Sequence, residues 1–246
     1  GVNVAKVLSD LGAKVTVTGF LGEDNQELFC QLFEQIDSVD HFIRVKGSTR
    51  INVKLVEQNG AVSDINFPGV YVDRTAIDAF EATLDELCHE HDYFVLAGSL
   101  PQGITPELCN KWISMLQSRG KKVIFDSSRA ALKAGIDATP WLIKPNEEEL
   151  SELVNTPINN TQDAIREAEK LSQSGITNIV VSMGANGVLW LSEGQWFSSI
   201  PPRMEVVSTV GAGDTLVAGM CWGHMQKMEK ATLLRFATAL SALAVG

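Results

Sequence analysis

The feature of the sequence that most constrains the fold is a repeated alternation between short β-rich runs and longer amphipathic stretches with helical spacing. Alternation of this kind predicts a mostly parallel sheet covered by helices on both faces. Ligands of such sheets bind at the carboxyl ends of the strands. The predicted strands are residues 14–19, 93–97, 122–125, 141–144, 178–182 and 187–191, and the predicted helices include 24–35, 75–88, 106–119 and 161–174.

Length and composition limit the classes of protein that this chain can belong to. With 246 residues, 45% of them hydrophobic and 20% charged, it is a globular protein with a substantial core, and it is not disordered, collagen-like or a coiled coil. We predict a single α/β domain over residues 1–246. Four widely spaced cysteines without a C-x-x-C motif indicate a reducing compartment, and we predict a cytoplasmic protein.

The charge balance bears on the partners of the chain. Lys and Arg total 20 against 30 Asp and Glu, so the formal net charge is −10 at pH 7 and the average surface repels a nucleic-acid backbone or an anionic membrane. No apolar run approaches the roughly 18 residues of a membrane span. We therefore expect no nucleic-acid and no membrane partner, and we expect any anionic ligand to bind in a local basic pocket.

One segment breaks the strand–helix alternation. Residues 49–57 and 61–67 are two period-2 runs with Asn59-Gly60, a type I′ hairpin signal, between them. We interpret residues 46–70 as a small β flap, although an ordinary half-exposed strand would show the same pattern. The first run has an apolar face and a polar face with two cations. The apolar face carries Ile51, Val53 and Leu55, and the polar face carries Arg50, Asn52 and Lys54.

The most informative motif is Gly211-Ala212-Gly213-Asp214, which precedes a helical pattern over 216–226. Small residues let the backbone turn tightly and direct N–H groups at the mouth of the helix, where the helix dipole also favours an anion. Asp214 lies in the first helical turn, where it can accept a proton from a hydroxyl that attacks a bound phosphoryl group. In isolation, a glycine-rich loop whose aspartate only caps the helix would look the same.

Two further glycine-containing turns follow predicted strands. The run Ser182-Met183-Gly184-Ala185-Asn186-Gly187 lets a flat ligand approach the backbone, although alone it is only a tight turn. The run Gly98-Ser99-Leu100-Pro101-Gln102-Gly103 has P-loop glycine spacing, but Ile104-Thr105 replace the required Lys-[Ser/Thr] pair. Since no G-x-G-x-x-G fingerprint occurs either, phosphoryl transfer on a non-Walker scaffold is the leading chemistry.

A possible metal site follows the predicted strand 141–144. Asn146 and Glu149 are three residues apart at the start of a helix, and this spacing can hold a hydrated Mg²⁺ through oxygen ligands. An acidic first turn that complements the helix dipole is an equally good interpretation. Cys88-His89-Glu90-His91 could supply zinc ligands, but the sequence has no second Cys/His cluster to complete a tetrahedral site, so a structural helix end is the better interpretation. Ser127, Ser128 and Ser208 lack the G-x-S-x-G elbow of a hydrolase.

Several of these motifs, taken in order, resemble the ribokinase-like PfkB sugar-kinase family over nearly the whole chain. Within the family, segments 49–54, 125–129 and 141–144 resemble most the members that convert fructose 1-phosphate and ATP to fructose 1,6-bisphosphate. The alternatives are a tagatose-6-phosphate kinase, another PfkB sugar kinase or, from a different class, a non-catalytic sugar-phosphate sensor. The matching motifs are Gly1-Val2-Asn3-Val4-Ala5, Gly98-Ser99-Leu100-Pro101, Lys144-Pro145-Asn146-Glu147-Glu148-Glu149 and Val207-Ser208-Thr209-Val210-Gly211-Ala212-Gly213-Asp214.

The resemblance implies a ribokinase-like α/β fold, ATP and Mg²⁺ as cofactors, and a role for each matching residue. Asp214 would be the catalytic base, with Gly211, Ala212 and Gly213 forming the anion hole for the γ-phosphate. The nucleotide would contact Ser182, Met183, Gly184, Ala185, Asn186 and Gly187, together with Gly213 and Asp214. The sugar phosphate would be bound by Asn3, Arg50, Asn52, Lys54, Ser99 and Lys144, and Lys144, Asn146 and Glu149 would organise phosphates and Mg²⁺.

The resemblance also bears on the flap and on the ends of the chain. The flap would be a lid that excludes water, and a homodimer through this lid is one expected assembly. The family's first strand and its Gly-Gly-Lys run would precede Gly1, and the helical pattern continues to the last residue. We therefore expect this sequence to be a fragment truncated at both ends, with weakened sugar-phosphate binding.

Overall fold

The strands follow from the β-rich runs of the sequence. The computed structural model of the protein describes residues 1–56, 62–66, 69–203 and 210–245, with the backbone alone at 52–56 and 62–66. In chain order the described strands are β1 (Thr16–Val17), β2 (Phe20–Gly22), β3 (Val39–Asp40), β4 (Ile43–Val45), β5 (Asn52–Val56), β6 (Val62–Asn66), β7 (Tyr93–Ala97), β8 (Lys122–Asp126), β9 (Leu142–Ile143), β10 (Asn178–Ser182), β11 (Val188–Ser192) and β12 (Gln195–Ser199).

The helices cover the amphipathic stretches. Among the described residues, no helix is both long enough and apolar enough to cross a bilayer. The helices are α1 (Val2–Asp10), α2 (Glu27–Gln35), α3 (Arg74–Leu87), α4 (Pro106–Ser118), α5 (Arg129–Gly135), α6 (Glu147–Val154), α7 (Thr161–Ser172), α8 (Ala212–Met225) and α9 (Lys230–Leu243).

The central sheet of the described residues has six strands in the order β12-β11-β10-β9-β8-β7. Strands β7 to β10 are parallel, and β11 and β12 add antiparallel strands at one edge. The predicted mostly parallel α/β sheet is therefore confirmed. Strand β12, which the sequence analysis did not predict, forms the edge beside β11.

The predicted strand 14–19 is confirmed only at β1 (Thr16–Val17). Gly19 has φ 140°, a conformation that side chains other than glycine rarely adopt, and β2 begins directly after it, at Phe20, outside the predicted run. Strand β1 pairs in parallel with β3, and β2 pairs in parallel with β4, outside the central sheet. The two short pairs lie near the chain that enters the flap, because β4 ends at Val45.

The hairpin of the flap is confirmed in its strands. Strands β5 and β6 are antiparallel, and Asn52 pairs with Asn66 and Val56 with Val62. Strand β5 begins at Asn52 and not at residue 49 as predicted, and residues 57, 61 and 67, the other ends of the predicted runs 49–57 and 61–67, lie outside the described residues. The predicted Asn59-Gly60 turn lies outside the described residues, as do the side chains of Asn52 and Lys54.

Two hydrophobic clusters sandwich the central sheet. One face packs against α3, α4, α6 and α7, and the other packs against α1, α8 and α9. Neighbouring residues of a buried parallel strand alternate between the clusters: Val123 and Phe125 join the first, whereas Ile124 joins the second. Burial of such a side chain stabilises the fold by about 1.5–3 kcal/mol. The second cluster fixes α8, and thus the Gly-Ala-Gly-Asp motif, over the sheet.

A buried histidine at the far end of α8 makes the fold sensitive to acid. The His224 ring lies 4.6 Å from the Trp141 ring and 5.3 Å from the Trp190 ring, and its buried Nε2 has no hydrogen-bond partner among the described residues. Burial, together with the charges of Lys122 and Lys230, lowers the pKa of His224 to about 4, and the charge of Glu193 opposes this shift.

We predict that stability falls as the pH is lowered from about 6.5 to about 4, since the unfolded chain binds a proton there that folded His224 does not. The contribution of neutral His224 to the free energy of unfolding is complete above pH 6.5. Below that pH the free energy of unfolding falls by up to about 1.4 kcal/mol per pH unit. Urea unfolding across this range should show a shallower slope for His224→Leu than for the unaltered protein. Equal slopes for the two proteins would contradict this prediction.

Candidate active site

The candidate site lies where the parallel strands of the central sheet end. Strand β8 ends at Asp126, Lys144 follows the end of β9, and β10 ends at Ser182. The backbone joins these ends, because Ser182 donates its N–H to the Pro145 carbonyl at 3.1 Å and pairs with Asn146 in a parallel bridge. This is the edge of the sheet at which the sequence predicts a ligand.

The Gly-Ala-Gly-Asp motif forms the N-terminus of α8. Gly211 is the N-cap with φ 89°, a left-handed conformation that glycine adopts without strain. The first intrahelical bond runs from the Thr215 N–H to the Gly211 carbonyl at 2.8 Å, so the N–H groups of residues 212–214 have no acceptor within the helix. Among the described residues, no side chain caps this end. The free donors and the helix dipole suit an anion.

Asp214 lies in the first turn of α8 and is oriented by α1. Its Oδ2 accepts a hydrogen bond of 2.8 Å from Asn3 Nδ2, a contact between residues 211 positions apart in the chain. The Asp214 side chain is 24% exposed, so a substrate can still reach the carboxylate. The structure thus brings together two residues that the sequence assigned to catalysis and to the sugar pocket.

A buried ion pair lies beneath this helix end. Lys144 Nζ lies 3.3 Å from Asp126 Oδ1, and the two side chains are only 8% and 16% exposed. Burial raises the pKa of Asp126, the Lys144 ammonium opposes this shift, and the negative charges of Asp214 and Glu149 add to it. A Cβ built on Gly213 would lie 3.4 Å from Lys144 Nζ, so the ammonium lies directly against the predicted anion hole.

Asn146 and Glu149 form a capping box at the start of α6. The Asn146 side chain accepts from the Glu149 N–H at 2.8 Å, and Glu149 Oε2 accepts from the Asn146 N–H at 3.0 Å. In the described part of the chain, no group of three or more His, Cys, Asp or Glu side chains could hold a metal ion. Mg²⁺ in kinases uses one or two protein ligands and takes the rest from water and phosphates, so the pair fits such an ion. Its metal role stays a prediction.

The predicted nucleotide turn has a defined geometry after β10. Residues Gly184–Asn186 form a 3₁₀ turn closed by a 2.8 Å bond from the Met183 N–H to the Gly187 carbonyl. Gly187 has φ 100°, and a Cβ there would lie 2.3 Å from the Ser199 carbonyl oxygen, so the position requires glycine. Met183 and Asn186 line a cleft of about 320 Å³, with α7 and strands β11 and β12 forming its other walls. The β12 wall was missed because that strand was not predicted.

The candidate sugar-pocket residues Arg50 and Ser99 lie on two loops, one before β5 of the flap and one after β7. The chain is fixed just before exposed Arg50, because Thr49 exchanges hydrogen bonds with Asn25 at 2.8 and 3.0 Å and accepts from the Gly22 N–H at 2.8 Å. Ser99 is exposed and follows Gly98, whose N–H donates to the Asp126 carbonyl at 3.1 Å. The side chains of Asn52 and Lys54 lie outside what the structure describes.

Asp126 is the site residue that the sequence analysis did not single out. It was quoted only within the segment 125–129 that resembles other sugar kinases. The signal was present, since a carboxylate directly after the buried run 123–125 lies at the ligand-binding end of a parallel strand.

Comparison with known proteins identifies the family of the chain. A family model described as pfkB family carbohydrate kinase matches residues 1–246. The chain belongs to the pfkB family. The predicted ribokinase-like α/β fold is thereby confirmed, as is the prediction of a sugar kinase.

The relatives of this pfkB family member include proteins named 1-phosphofructokinase. The chain is 69% identical over 245 residues to a 1-phosphofructokinase of Vibrio cholerae, and the match covers 100% of this chain and 77% of the relative. It is 45% identical over 246 residues to a 1-phosphofructokinase of Escherichia coli K12, with 100% and 78% covered. Among solved structures, phosphofructokinase-2 from Escherichia coli in complex with potassium superposes with a TM-score of 0.91 at 30% identity, with 100% of this chain and 80% of that chain covered.

Proposed function

We propose that the protein transfers the γ-phosphoryl group of ATP to fructose 1-phosphate, giving fructose 1,6-bisphosphate and ADP. The observation that carries the proposal is the position of Asp214 in the first turn of α8, directly after the uncapped N–H groups of an anion site. The 69% identity to a 1-phosphofructokinase supports the choice of sugar phosphate. A sensor that only binds the sugar phosphate has no need of a base at that position.

Asp214 acts as the general base in this proposal. The free sugar hydroxyl attacks the γ-phosphorus, the bond to the β–γ bridging oxygen breaks, and ADP leaves with the electron pair of that bond. The hydroxyl proton passes to the Asp214 carboxylate, which Asn3 holds in place. A positioned base of this kind contributes about 10²–10⁴-fold to the rate.

The N-terminus of α8 stabilises the charge of the transferring group. The backbone N–H groups of Ala212 and Gly213, preorganised by Gly211, donate to the γ-phosphoryl oxygens, and the Lys144 ammonium adds a positive charge beside Gly213. When bound, Mg²⁺ would neutralise charge on the β- and γ-phosphates. Asn146 and Glu149 would hold it through the oxygens that cap α6.

The other predicted site residues bind the nucleotide and the sugar phosphate in this proposal. Residues Ser182–Gly187 bind the nucleotide beside the cleft that Met183 and Asn186 line. In a chain with net charge −10, the phosphate of the sugar needs local cations, which Arg50 and Lys54 supply on the polar face of the flap. Asn3 and Ser99 bind the sugar at the sheet edge.

The flap also supports a proposal on domain organisation and assembly. We propose that residues 1–246 form one domain with the flap 46–70 as its lid, and that two copies associate through their lids. Ile51 within the flap and Tyr71 directly after it are 55% and 67% exposed, so each offers apolar surface that a second copy can cover. A related phosphofructokinase-2 from Escherichia coli has a tetrameric inhibited form. A monomeric mass in light scattering would contradict this assembly.

The experiment that tests the proposed function measures ADP release by the full-length protein with a panel of sugars. The panel contains fructose 1-phosphate, fructose 6-phosphate, tagatose 6-phosphate and unphosphorylated fructose. We expect kcat/KM to be highest for fructose 1-phosphate. A higher value for tagatose 6-phosphate would favour that alternative kinase, and sugar-phosphate binding without ADP release would favour the sensor.

A further inference from the structure

The positions of Asp126 and Lys144 follow from the register of two neighbouring strands. In the parallel pair β8 and β9, Ile124 pairs with Leu142 and Phe125 pairs with Ile143. Ile124 and Leu142 belong to the cluster beneath α8, whereas Phe125 and Ile143 belong to the cluster on the opposite face. With a side-chain period of two, the next pair returns to the α8 face. Asp126 and Lys144 therefore meet beneath the helix that carries Asp214.

Burial of this pair is costly and is not explained by stability. Each charge loses most of its hydration, and well-packed apolar residues of similar volume often stabilise a fold at least as well as a buried ion pair. The local charge is also unbalanced, because the negative charges of Asp214 and Glu149 act on Asp126 alongside the positive charge of Lys144. Among the described side chains, Asp126 alone forms an ion pair with Lys144. The ammonium lies beside Gly213, where a Cβ would be 3.4 Å from Lys144 Nζ, and among the described residues it forms no ion pair with Asp214.

We propose that Asp126 is a positioning residue that holds the Lys144 ammonium against Gly213, where it meets the phosphoryl group, and keeps it from pairing with the base Asp214. The inference rests on the proposed kinase function and deepens it. One of the three donors of the ammonium binds Asp126, and the others remain for phosphate oxygens. Asp214 and Glu149 are carboxylates close enough to act on Asp126. Without the Asp126 charge, an ion pair of Lys144 with either of them would remove the ammonium from the anion hole.

A double-mutant cycle tests whether Asp126 acts through Lys144. We expect Asp126→Asn to lower kcat by roughly 10- to 100-fold, as loss of an orienting partner does at other sites. In a Lys144→Met background, the same change should alter kcat less than about threefold, since there is no ammonium left to position. Asp126→Glu keeps the negative charge and should retain more activity than Asp126→Asn. If the asparagine variant does not fold, the activity of Asp126→Glu in the two backgrounds still tests the inference. The half-buried pair of Asp40 and Arg44 gives the control, because Asp40→Asn should leave kcat unchanged.

Nucleotide binding separates failure of this inference from failure of the proposed function. Titration calorimetry with ATP needs no sugar phosphate, and Asp126→Asn should weaken ATP binding in the unaltered background but not in the Lys144→Met background. The same loss of kcat or of ATP affinity in both backgrounds would overturn the positioning role, as would an Asp126→Asn variant with kcat within twofold of the unaltered protein. The proposed function alone would fail if ATP binding follows the cycle while fructose 1-phosphate is not phosphorylated.

Discussion

Replacing Asp214 with asparagine is expected to lower kcat by about 10²–10⁴-fold, the contribution of a positioned base. Asparagine has the same shape and can still accept the hydrogen bond from Asn3 Nδ2, so the fold should be unchanged. It cannot take the proton of the attacking hydroxyl. The measurement is kcat at saturating ATP and fructose 1-phosphate, with ATP affinity from calorimetry, which should stay near that of the unaltered protein.

The control for this variant is Asp10→Asn, which removes an exposed carboxylate paired with Lys6 on α1. Surface pairs of this kind contribute little, so its kcat should equal that of the unaltered protein. Retention of more than about half of kcat by Asp214→Asn would remove Asp214 from the role of base.

Replacing Arg50 with alanine is expected to raise KM for fructose 1-phosphate by roughly 10- to 150-fold. This range corresponds to about 1.5–3 kcal/mol for a lost charge-assisted hydrogen bond to a phosphate. KM for ATP should change little, because the nucleotide turn follows β10, whereas Arg50 is held at the entrance of the flap by Thr49 and Asn25. Initial rates with each substrate varied in turn give both constants.

The matched control is Arg74→Ala, since Arg74 is an exposed arginine on α3 that pairs with Asp78 at 2.9 Å. Neither KM should change in that variant. If Arg50→Ala raises KM for ATP as much as KM for the sugar phosphate, Arg50 does not bind the sugar phosphate.

The hydrophobic pattern of the sequence predicted the elements whose residues are almost all apolar or follow a clear helical spacing. Runs such as 178–182 are apolar because both faces of a parallel strand are buried, and they were located correctly. Strand β12 was missed because its sequence, Gln-Trp-Phe-Ser-Ser, is half polar and covers an edge. The early end of β1 was also missed, because Gly19 at the end of a short β-rich run does not by itself indicate a positive φ.

The site was predictable wherever a motif dictates backbone geometry. The positive φ of Gly211 and the helix that follows it are consequences of the local sequence, so the position of Asp214 could be predicted. The spacing of Asn146 and Glu149 could not decide between a cap and a metal site, because both need the same helical spacing, and the structure shows the cap. The contact between Asn3 and Asp214 and the pair of Asp126 and Lys144 depend on tertiary packing, which no local pattern encodes.

The measurement that tests the central claim most directly is the product formed from ATP and fructose 1-phosphate by the full-length protein. Phosphorus NMR can follow ATP, ADP and both sugar-phosphate resonances in one sample. We predict that one fructose 1,6-bisphosphate appears for each ADP formed, and that neither appears at a comparable rate with Asp214→Asn. ADP formation without a second phosphate on the sugar, or no turnover of fructose 1-phosphate at all, would contradict the account.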